Sequence, residues 1–244
     1  MSLRVEAVPC LEDNYLWLLK DSPTGAVAIC DPGEAAPAIA AVEAAGGELD
    51  SILLTHHHGD HVNGVAELKA RFPAAKVVGA ALDAHRLPPL DVVVKEGDIV
   101  PLGAARAEVL HYPGHTTGHI AFHFVANHVL LCGDVIFALG CGRPLEPGGM
   151  EALWHSLRRL ARLPGNTRLC CGHEYTQSNA RFALHVDPDN AALKAEVEAA
   201  GALLAAGRPT VPTTLAQELA ANPFLRARDL AEFTARREAK NHFR

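Results

Sequence analysis

Apolar and polar positions along the first 175 residues mark out a series of short strands. Residues 3–8 alternate apolar and polar side chains, which is typical of a strand with one buried face, and residues 15–19 form a continuous apolar run. Similar runs end at turns, and they cover residues 27–30, 51–55, 76–78, 91–94, 108–112, 120–124, 129–132 and 168–171. This density of short strands predicts a β-rich first part of the chain.

Helical patterns separate these strands and dominate the end of the chain. Residues 34–45 are rich in alanine and stop at two glycines, and a second helix is predicted around 62–72. Large apolar residues recur at helical spacing from Met150 to Leu160, which predicts an amphipathic helix over 149–162. After residue 175 no strand-like run follows, and helix formers fill 191–206 and 213–221. The pattern predicts a β-rich α/β domain over 1–170 and a helical region over 171–244.

Composition and charge exclude several classes of protein. The chain has 244 residues, of which 49% are hydrophobic and 20% charged, so it can bury a sizeable core. Its net charge is −6 and no basic run exceeds two arginines, which disfavours nucleic-acid and membrane-surface binding. No apolar stretch is long enough to cross a bilayer, and residues 1–6 show no export signal. We therefore expect a cytoplasmic monomer.

Cysteine and histidine usage narrows the chemistry. The six cysteines include no C-x-x-C pair and are too sparse for a disulfide scaffold, so free thiols are expected. Histidine is unusually frequent, with 14 copies against three tyrosines and two tryptophans. The chain contains five serines, and none lies in a Gly-x-Ser-x-Gly turn, so serine-based hydrolysis is excluded.

The strongest cluster of potential metal ligands follows the predicted strand at 51–55. Residues 55–61 read Thr-His-His-His-Gly-Asp-His. In extended backbone alternate side chains point the same way, so His56 and His58 can share one ion, while His57 points away. Asp60 and His61 follow a glycine and face a second position. Imidazole and carboxylate at this spacing favour zinc or a similar divalent metal. The alternative is a solvated, histidine-rich surface loop.

Three later segments each place a potential ligand beside a glycine, just after a predicted strand. His115, Asp134 and His173 occupy these positions. A single His or Asp after a strand is usually a solvated or capping residue, but glycine turns at strand ends can bring distant side chains together. The repetition favours one shared metal centre. His119 and His123 lie close enough to His115 to support it from a second layer.

The order His-x-His-x-Asp-His, His, Asp, His resembles that of the metallo-β-lactamase superfamily. The resemblance implies a four-layered αβ/βα sandwich of the α/β class that binds one or two metals, with the catalytic domain at 1–170. It also implies two sets of ligands for two divalent ions, zinc in the first place, with iron and manganese as alternatives. The first set is His56, His58 and His115, the second is Asp60, His61 and His173, and Asp134 bridges both.

Other segments are similar to a single branch of that superfamily, the hydroxyacylglutathione hydrolases or glyoxalase II enzymes. They read Asp-Asn-Tyr at 13–15, Cys-Gly-Arg at 141–143, Cys-Gly-His-Glu-Tyr-Thr at 171–176, Pro-Thr-Val-Pro at 209–212 and Asn-Pro-Phe-Leu-Arg at 222–226. This resemblance implies that residues 171–244 form a substrate-binding helical domain. It also implies hydrolysis of S-D-lactoylglutathione to glutathione and D-lactate, with Asp60 and Asp134 at the reacting centre.

The same resemblance implies a set of contacts to the glutathione part of the substrate. Arg237 and Lys240 match a C-terminal Arg-x-x-Lys pair, whose spacing puts both cations on one helix face. Arg143 and Tyr175 complete the set. The chain departs from the family pattern at Leu145, where relatives often carry an aromatic residue, and at Asn241, where an acidic residue is usual. For isolated terminal cations, solvation of a helix face is the alternative.

Competing functions on the same fold remain open from the sequence. A persulfide dioxygenase uses one iron held by two histidines and an aspartate, and the complete second ligand set argues against it. A β-lactamase or an RNA-processing nuclease is a further alternative, although the chain lacks basic stripes. A structural zinc protein is disfavoured because such sites are usually closed and rich in cysteine.

Overall fold

The computed structural model describes residues 3–243, and its strands form two six-stranded sheets and one small hairpin. The first sheet runs in chain order, with its first three strands antiparallel and the remaining strands parallel. Its strands are β1 (Leu3–Cys10), β2 (Asn14–Asp21), β3 (Val27–Cys30), β4 (Ser51–Leu53), β5 (Lys76–Ala80) and β6 (Val92–Val94). Three helices accompany it, namely α1 (Ala35–Ala45), α2 (Gly59–Val62) and α3 (Val65–Arg71).

The second sheet takes its strands from the middle of the chain and one from the C-terminal region. Its members are β7 (Ile99–Leu102), β8 (Ala105–His111), β9 (Ile120–Phe124), β10 (Val129–Gly133), β13 (Arg168–Cys171) and β14 (Thr213–Thr214). They lie in the order β14-β13-β10-β9-β8-β7. A separate two-stranded hairpin joins β11 (Ile136–Phe137) and β12 (Gly140–Cys141). The later helices are α4 (Gly149–Leu160), α5 (Thr176–Val186), α6 (Ala191–Ala205), α7 (Leu215–Ala221) and α8 (Leu230–His242).

Side-chain alternation along β2 builds the layers. Leu16 and Leu18 pack with α1 and α3 on the outer face of the first sheet. Trp17 and Leu19 point the other way, into the larger core that both sheets share. This core also contains Leu153 of α4 and Phe233 of α8, which cover the second sheet. Alternation of period two therefore gives each sheet two buried faces and yields the four-layered αβ/βα sandwich that the sequence predicts.

The structure corrects four details of the predicted elements. The strand β7 was not predicted, and neither was helix α5. The helix expected over 62–72 is α3 alone, because the short helix α2 precedes it and ends at Val62. The expectation that no strand follows residue 175 is wrong, since Thr213 and Thr214 pair with Leu169 and Arg168 in β13.

The strand ends determine where the chemistry can lie. Strands β8 and β10 both run antiparallel to β9, and β13 runs parallel to β10. The C-terminal ends of β8, β10 and β13 therefore lie at the same end of the second sheet. The loop that follows β4 reaches this end as well, where the Ile120 N–H donates to the Thr55 carbonyl over 2.9 Å. Side chains just beyond these four strands therefore meet between the two sheets. No helix among residues 3–243 is both long and apolar enough to span a membrane.

Candidate metal centre

The loop after β4 and the loop after β8 bring three histidines together. The Nδ1 atom of His58 lies 3.1 Å from Nε2 of His56 and 3.0 Å from Nε2 of His115. The His115 and His58 rings meet edge to face, with their centroids 4.7 Å apart. His56 and His115 are buried, and His58 is partly exposed. Three imidazole nitrogens thus point at one small volume at the edge of the sheets.

A second group lies beside the first and combines one carboxylate with two imidazoles. The Asp60 Oδ2 atom is 3.3 Å from Nε2 of His173 and 3.5 Å from Nε2 of His61. The short helix α2 carries Asp60 and His61, and the turn after β13 carries His173. The side chain of Asn14 donates to the same Asp60 oxygen over 2.9 Å, which fixes the carboxylate from the N-terminal side of the site.

Asp134 lies between the two groups and touches both. Its Oδ2 atom is 3.5 Å from Nε2 of His115, in the first group, and 3.3 Å from Nε2 of His173, in the second. Its Oδ1 atom is 3.4 Å from Nε2 of His61. The carboxylate follows β10 directly and is buried. One carboxylate therefore connects two groups of side chains that together extend from position 56 to position 173 of the chain.

The spacing of these atoms is that of ligands around a cation. A tetrahedral ion with metal–nitrogen bonds of about 2.0–2.1 Å separates its ligand atoms by about 3.3–3.4 Å. Neighbouring atoms in the two groups and around Asp134 lie 3.0–3.5 Å apart, and within each group the ligand atoms all lie within 4.8 Å of one another. The His61 Nε2 and Asp134 Oδ1 atoms are buried and have no hydrogen-bond partner, although burial of unpaired polar atoms is costly. The residues fit a divalent metal centre.

The outward-facing nitrogens of His56 and His61 share one anchor, Asp31, which contacts His61 directly and His56 through Thr55. Its Oδ2 atom lies 3.1 Å from His61 Nδ1 and accepts the Thr55 hydroxyl over 2.6 Å, while its Oδ1 atom accepts the Thr55 N–H over 2.8 Å. The Thr55 hydroxyl in turn lies 3.0 Å from His56 Nδ1. One carboxylate thereby orients ligands of both groups, which is the usual way in which proteins fix metal-binding imidazoles.

The two other buried histidines of the ligand groups, His115 and His173, have separate anchors. His173 Nδ1 lies 3.0 Å from the Asp13 carboxylate, and His115 Nδ1 donates to the Arg143 carbonyl over 2.8 Å. The N-terminal loop that contains Asp13 is pinned to the same region, since Tyr15 N–H donates to the Gly172 carbonyl. These contacts leave the Nε2 atoms of both rings facing the centre.

The two groups differ in the pKa values of their histidines because they differ in neighbouring charge. Burial, together with the neighbouring His115, lowers the pKa of His58 to about 4, so this imidazole is neutral at pH 7. Burial also opposes protonation of His173, but the carboxylates of Asp134 and Asp60 outweigh it and raise the His173 pKa to about 10. The hydrogen bond with His173 lowers the pKa of Asp60. The group that contains the carboxylates therefore attracts positive charge, either as protons or as a metal ion.

Three further histidines near the centre, His57, His119 and His123, differ in their contacts with it. His57 turns away from the centre, and its Nδ1 atom lies 3.0 Å from the Asp83 carboxylate. His119 supports the centre, because its ring stacks on His56 at 4.9 Å and its Nε2 atom accepts the Asp134 N–H over 3.1 Å. His123 lies on β9 opposite Leu130 and makes no ring contact with the ligand histidines described.

A cavity of about 240 Å³ opens next to this centre and contains the four residues expected to bind substrate. Its lining comes from the β11–β12 hairpin, α5 and α8, and consists of Phe137, Cys141, Arg143, Tyr175, Ser178, Asn179, Arg237 and Lys240. The ring of Tyr175 stacks on the ligand histidine His173 with centroids 4.5 Å apart. The cavity and the metal centre are therefore in direct contact through this pair of rings.

The cations of the cavity differ in how they are held. Arg143 is exposed, and its guanidinium has no ion-pair partner within residues 3–243. Arg237 is buried and donates to the Cys141 carbonyl over 2.9 Å and to the side chain of Asn241 over 3.0 Å. Lys240 donates to the carbonyl and hydroxyl of Ser178 over 3.0 and 2.9 Å. The two C-terminal cations are thus engaged with the protein itself.

Comparison with known proteins gives a consistent assignment. The family model of the metallo-β-lactamase superfamily matches residues 13–173, and the model of the hydroxyacylglutathione hydrolase C-terminus matches residues 174–243. A hydroxyacylglutathione hydrolase of Acidiphilium cryptum is 52% identical over 98% of this chain and 96% of its own length. One of Cereibacter sphaeroides is 52% identical over 93% of this chain and 88% of its own.

The chain belongs to the hydroxyacylglutathione hydrolase family of the metallo-β-lactamase superfamily. The resemblance found in the sequence is confirmed, and so are the predicted fold class and the assignment as a metal-dependent hydrolase.

Solved structures share the fold of this family member. ETHE1 from Myxococcus xanthus superposes with a TM-score of 0.75 at 25% identity, over 99% of this chain and 92% of its own. TTHA1623 in a di-iron-bound form superposes with a TM-score of 0.58 at 33% identity, over 68% of this chain and 90% of its own. The second of these neighbours was solved with two irons.

Several residues that support the centre were not identified from the sequence. Asp31 stands in an Asp-Pro-Gly turn and Thr55 at the end of a predicted strand, and neither pattern by itself predicts a role at a metal centre. Asp13 and Asn14 entered only through their resemblance to the family. The backbone of Asp31 has a φ of 51°, which is uncommon for a residue other than glycine. The sequence marks Asp31 only by the Pro-Gly dipeptide that follows it at the end of a strand.

Proposed function

We propose that the chain hydrolyses the thioester S-D-lactoylglutathione to glutathione and D-lactate. Its relatives of about half identity carry the name hydroxyacylglutathione hydrolase and align with nearly the whole chain. The observation that carries the proposal is the convergence of seven potential ligands, with neighbouring ligand atoms 3.0–3.5 Å apart, beside a cavity lined by cations. Such a site combines a metal centre with a place for an anionic peptide.

Two divalent ions would be held by the two groups of ligands. We assign His56, His58 and His115 to the first ion and Asp60, His61 and His173 to the second, with Asp134 shared. Zinc suits imidazole and carboxylate ligands, while iron and manganese suit them as well, and the di-iron form of TTHA1623 supports iron as an alternative. Such ions supply Lewis acidity, which makes water nucleophilic near neutral pH and polarises a carbonyl oxygen.

The two carboxylates of the centre have different parts in this proposal. Asp60 is about two-fifths exposed, and its hydrogen bonds with His173 and Asn14 lower its pKa, so it is ionised at neutral pH. As an ionised acceptor it can orient an attacking water. Asp134 is buried and contacts both histidine groups, so it keeps them in register. Neither residue has to act on the sulfur, because a thiolate leaves readily.

The cavity would hold the peptide part of the substrate. Glutathione carries two carboxylates, which need cations or several donors. Arg143 is exposed and unpaired among the described residues, so it is available to a carboxylate without breaking an internal bond. Tyr175 adds a hydroxyl, and Arg237 and Lys240 add positive charge from α8. Residues 171–244 would form the substrate-binding domain and 1–170 the catalytic domain.

Location and assembly are further parts of this proposal. We place the protein in the cytoplasm, because all six cysteines are free and buried, and free thiols persist in reducing compartments. We also propose that the monomer is active, because one chain supplies both the metal ligands and the lining of the cavity.

Metal counting combined with a thioesterase assay tests the function. We expect purified protein to contain about two divalent ions per chain and to consume S-D-lactoylglutathione. A chelator should abolish the reaction, and added zinc should restore it. Metal-replete protein that leaves the thioester intact would remove the assignment. Oxygen consumption with glutathione persulfide would instead identify a persulfide dioxygenase.

A further inference from the structure

A continuous series of polar contacts begins at His57 and leads away from the metal centre. His57 Nδ1 lies 3.0 Å from Oδ2 of Asp83, and the other Asp83 oxygen accepts from the Arg86 guanidinium. Arg86 also donates to Oε1 of Glu146. We call Asp83, Arg86 and Glu146 the acid–arginine network. It contains no expected metal ligand or substrate contact, and neither the sequence motifs nor the family resemblance assigns it a role.

The network ends on the segment that carries Arg143. Oε2 of Glu146 accepts the Thr117 N–H over 2.5 Å and also contacts the Thr117 hydroxyl. Three residues earlier, the Arg143 carbonyl accepts from the ligand histidine His115 over 2.8 Å. Residues 143–148 are therefore fixed at two points, and both of these anchors belong to the loop between β8 and β9.

The network is built to be rigid. Asp83 is completely buried, and a Cβ atom at Gly118 would lie only 2.1 Å from its Oδ1 atom, so the glycine allows the carboxylate to lie against the loop. Burial opposes ionisation of Glu146, but the hydrogen bonds from Thr117 and Arg86 outweigh it and lower its pKa to about 2. Charge-assisted hydrogen bonds of this kind are stronger than neutral ones. Glu146 therefore remains an ionised anchor over the whole neutral range.

Arg143 depends on this anchor. Its exposed guanidinium lines the substrate cavity without an ion-pair partner of its own among residues 3–243. The backbone of 143–148 therefore determines where this side chain leaves the chain. A backbone segment that is already in place saves the entropy of ordering it when a carboxylate binds. An unanchored segment would bind the same ligand less tightly.

We propose that Glu146, held by Arg86 and Thr117, is a positioning residue that fixes the segment 143–148 and so presents Arg143 to the peptide part of the substrate. This inference rests on the proposed function. An acidic side chain cannot itself attract the carboxylates of glutathione. In this proposal Glu146 contributes to their binding through the position of Arg143. The effect should therefore appear in substrate affinity and not in the chemical step.

The test uses the metal-loaded enzyme and S-D-lactoylglutathione. We expect Glu146→Ala and Arg86→Ala each to raise KM about tenfold, to change kcat less than about twofold, and to leave the metal content unchanged. Glu146→Gln keeps an acceptor for Thr117 but loses the ion pair, so its KM should lie between those of the wild type and the alanine variant. The matched control is Glu43→Ala, which breaks the surface pair of Glu43 with Arg71. It should leave KM unchanged.

A double-variant comparison separates positioning from general destabilisation. In an Arg143→Ala background, Glu146→Ala should produce no further rise in KM, because the cation that it positions is absent. An equal rise in both backgrounds would overturn the proposal, and so would an unchanged KM in the single variant. Wild-type enzyme without thioesterase activity would instead reject the proposed function, so the two failures are distinguishable.

Discussion

The metal centre and the neighbouring cavity are built in different ways. The ligands of the centre extend from strand ends of both sheets, and the outward nitrogens of the buried histidines are bound by Asp13, Asp31, Thr55 and the Arg143 carbonyl. The cavity is formed largely by helices and a hairpin, and two of its three cations are bonded to the protein itself. The side chains of the centre are thus held in place by the protein, whereas a substrate bound in the cavity as proposed would have to replace internal bonds of Arg237 and Lys240.

This contrast implies different costs of binding. Ligand side chains held by a second layer lose little freedom when an ion arrives. A carboxylate that approaches Lys240 must instead compete with the carbonyl and hydroxyl of Ser178. Only Arg143 offers a cation that needs no such exchange within the described residues. We therefore expect changes at the centre to affect metal content, and changes at the cavity to divide between substrate affinity and stability.

The largest effect is expected from the residue shared by the two ligand groups. Asp134→Ala removes the carboxylate that contacts His61, His115 and His173. Activity should fall by about 1000-fold and fewer than two ions should remain bound, because metals contribute several kcal/mol to such reactions. Metal analysis and the thioesterase assay measure both effects. The exposed Asp189, replaced by alanine, is the control. Two retained ions together with wild-type turnover would contradict the assignment of Asp134.

The next effect distinguishes the two C-terminal cations. Arg237→Ala leaves the buried Cys141 carbonyl without its donor and removes the guanidinium from the Phe224 ring, 5.3 Å away. We expect a loss of about 2–3 kcal/mol in the free energy of unfolding, together with a higher KM. Lys240→Ala should raise KM as well but cost less than about 1 kcal/mol, because Lys240 is half-buried. Urea unfolding separates the two, and equal stabilities would show that Arg237 is not structural.

A smaller effect is expected in the second layer of the metal centre. Asp31→Asn keeps the shape of the side chain but removes the charge beside His61, so affinity for metal should fall about 10- to 100-fold. Asp13→Asn makes the same change beside His173, where the carboxylate is two-fifths exposed, and should cost less. Competition with a chelator measures both affinities. A larger loss at Asp13 would contradict the role of Asp31 as the shared anchor.

The smallest effect is expected from Glu218 of α7, which contacts the turn of the β11–β12 hairpin. Glu218 is buried, accepts from Leu139 N–H and Asn222, and burial raises its pKa to about 7. Because this pKa lies above the unfolded value, Glu218 favours folding below about pH 4.5, and this contribution is lost as the pH rises towards 7. Wild-type stability should therefore fall relative to Glu218→Gln by about 2 kcal/mol between pH 5 and 7. Denaturant unfolding at several pH values tests this, and parallel pH profiles would contradict it.

The sequence located the side chains that converge at this site better than it located the elements around them. The ligands follow strand ends beside glycines, and both features are local patterns. Strand β7 was missed because Pro101 interrupts its apolar run, and proline is tolerated there because β7 lies at the edge of its sheet. Helix α5 was missed because it begins with polar residues and packs through Phe182 and Ala183.

The supporting contacts could not be predicted because they depend on distant packing. Asp31 reaches Thr55 and His61 only when β3 and β4 lie side by side. The burial of Arg237 depends on how α8 packs against the β12 strand. Local sequence contains no information about either approach, so an aspartate in a turn and an arginine near the C-terminus appear ordinary.

The pairing of β14 with β13 limits how this molecule can be divided. Residues 213–214 cover the outer edge of β13, the strand that leads directly to His173. A fragment ending near residue 173 would leave this edge uncovered, and uncovered strands recruit other chains. A chimaera that takes its C-terminal region from a relative would therefore also need the edge strand that corresponds to β14 from that relative. Recombination near residue 173 would therefore divide the second sheet and would not separate two independent modules.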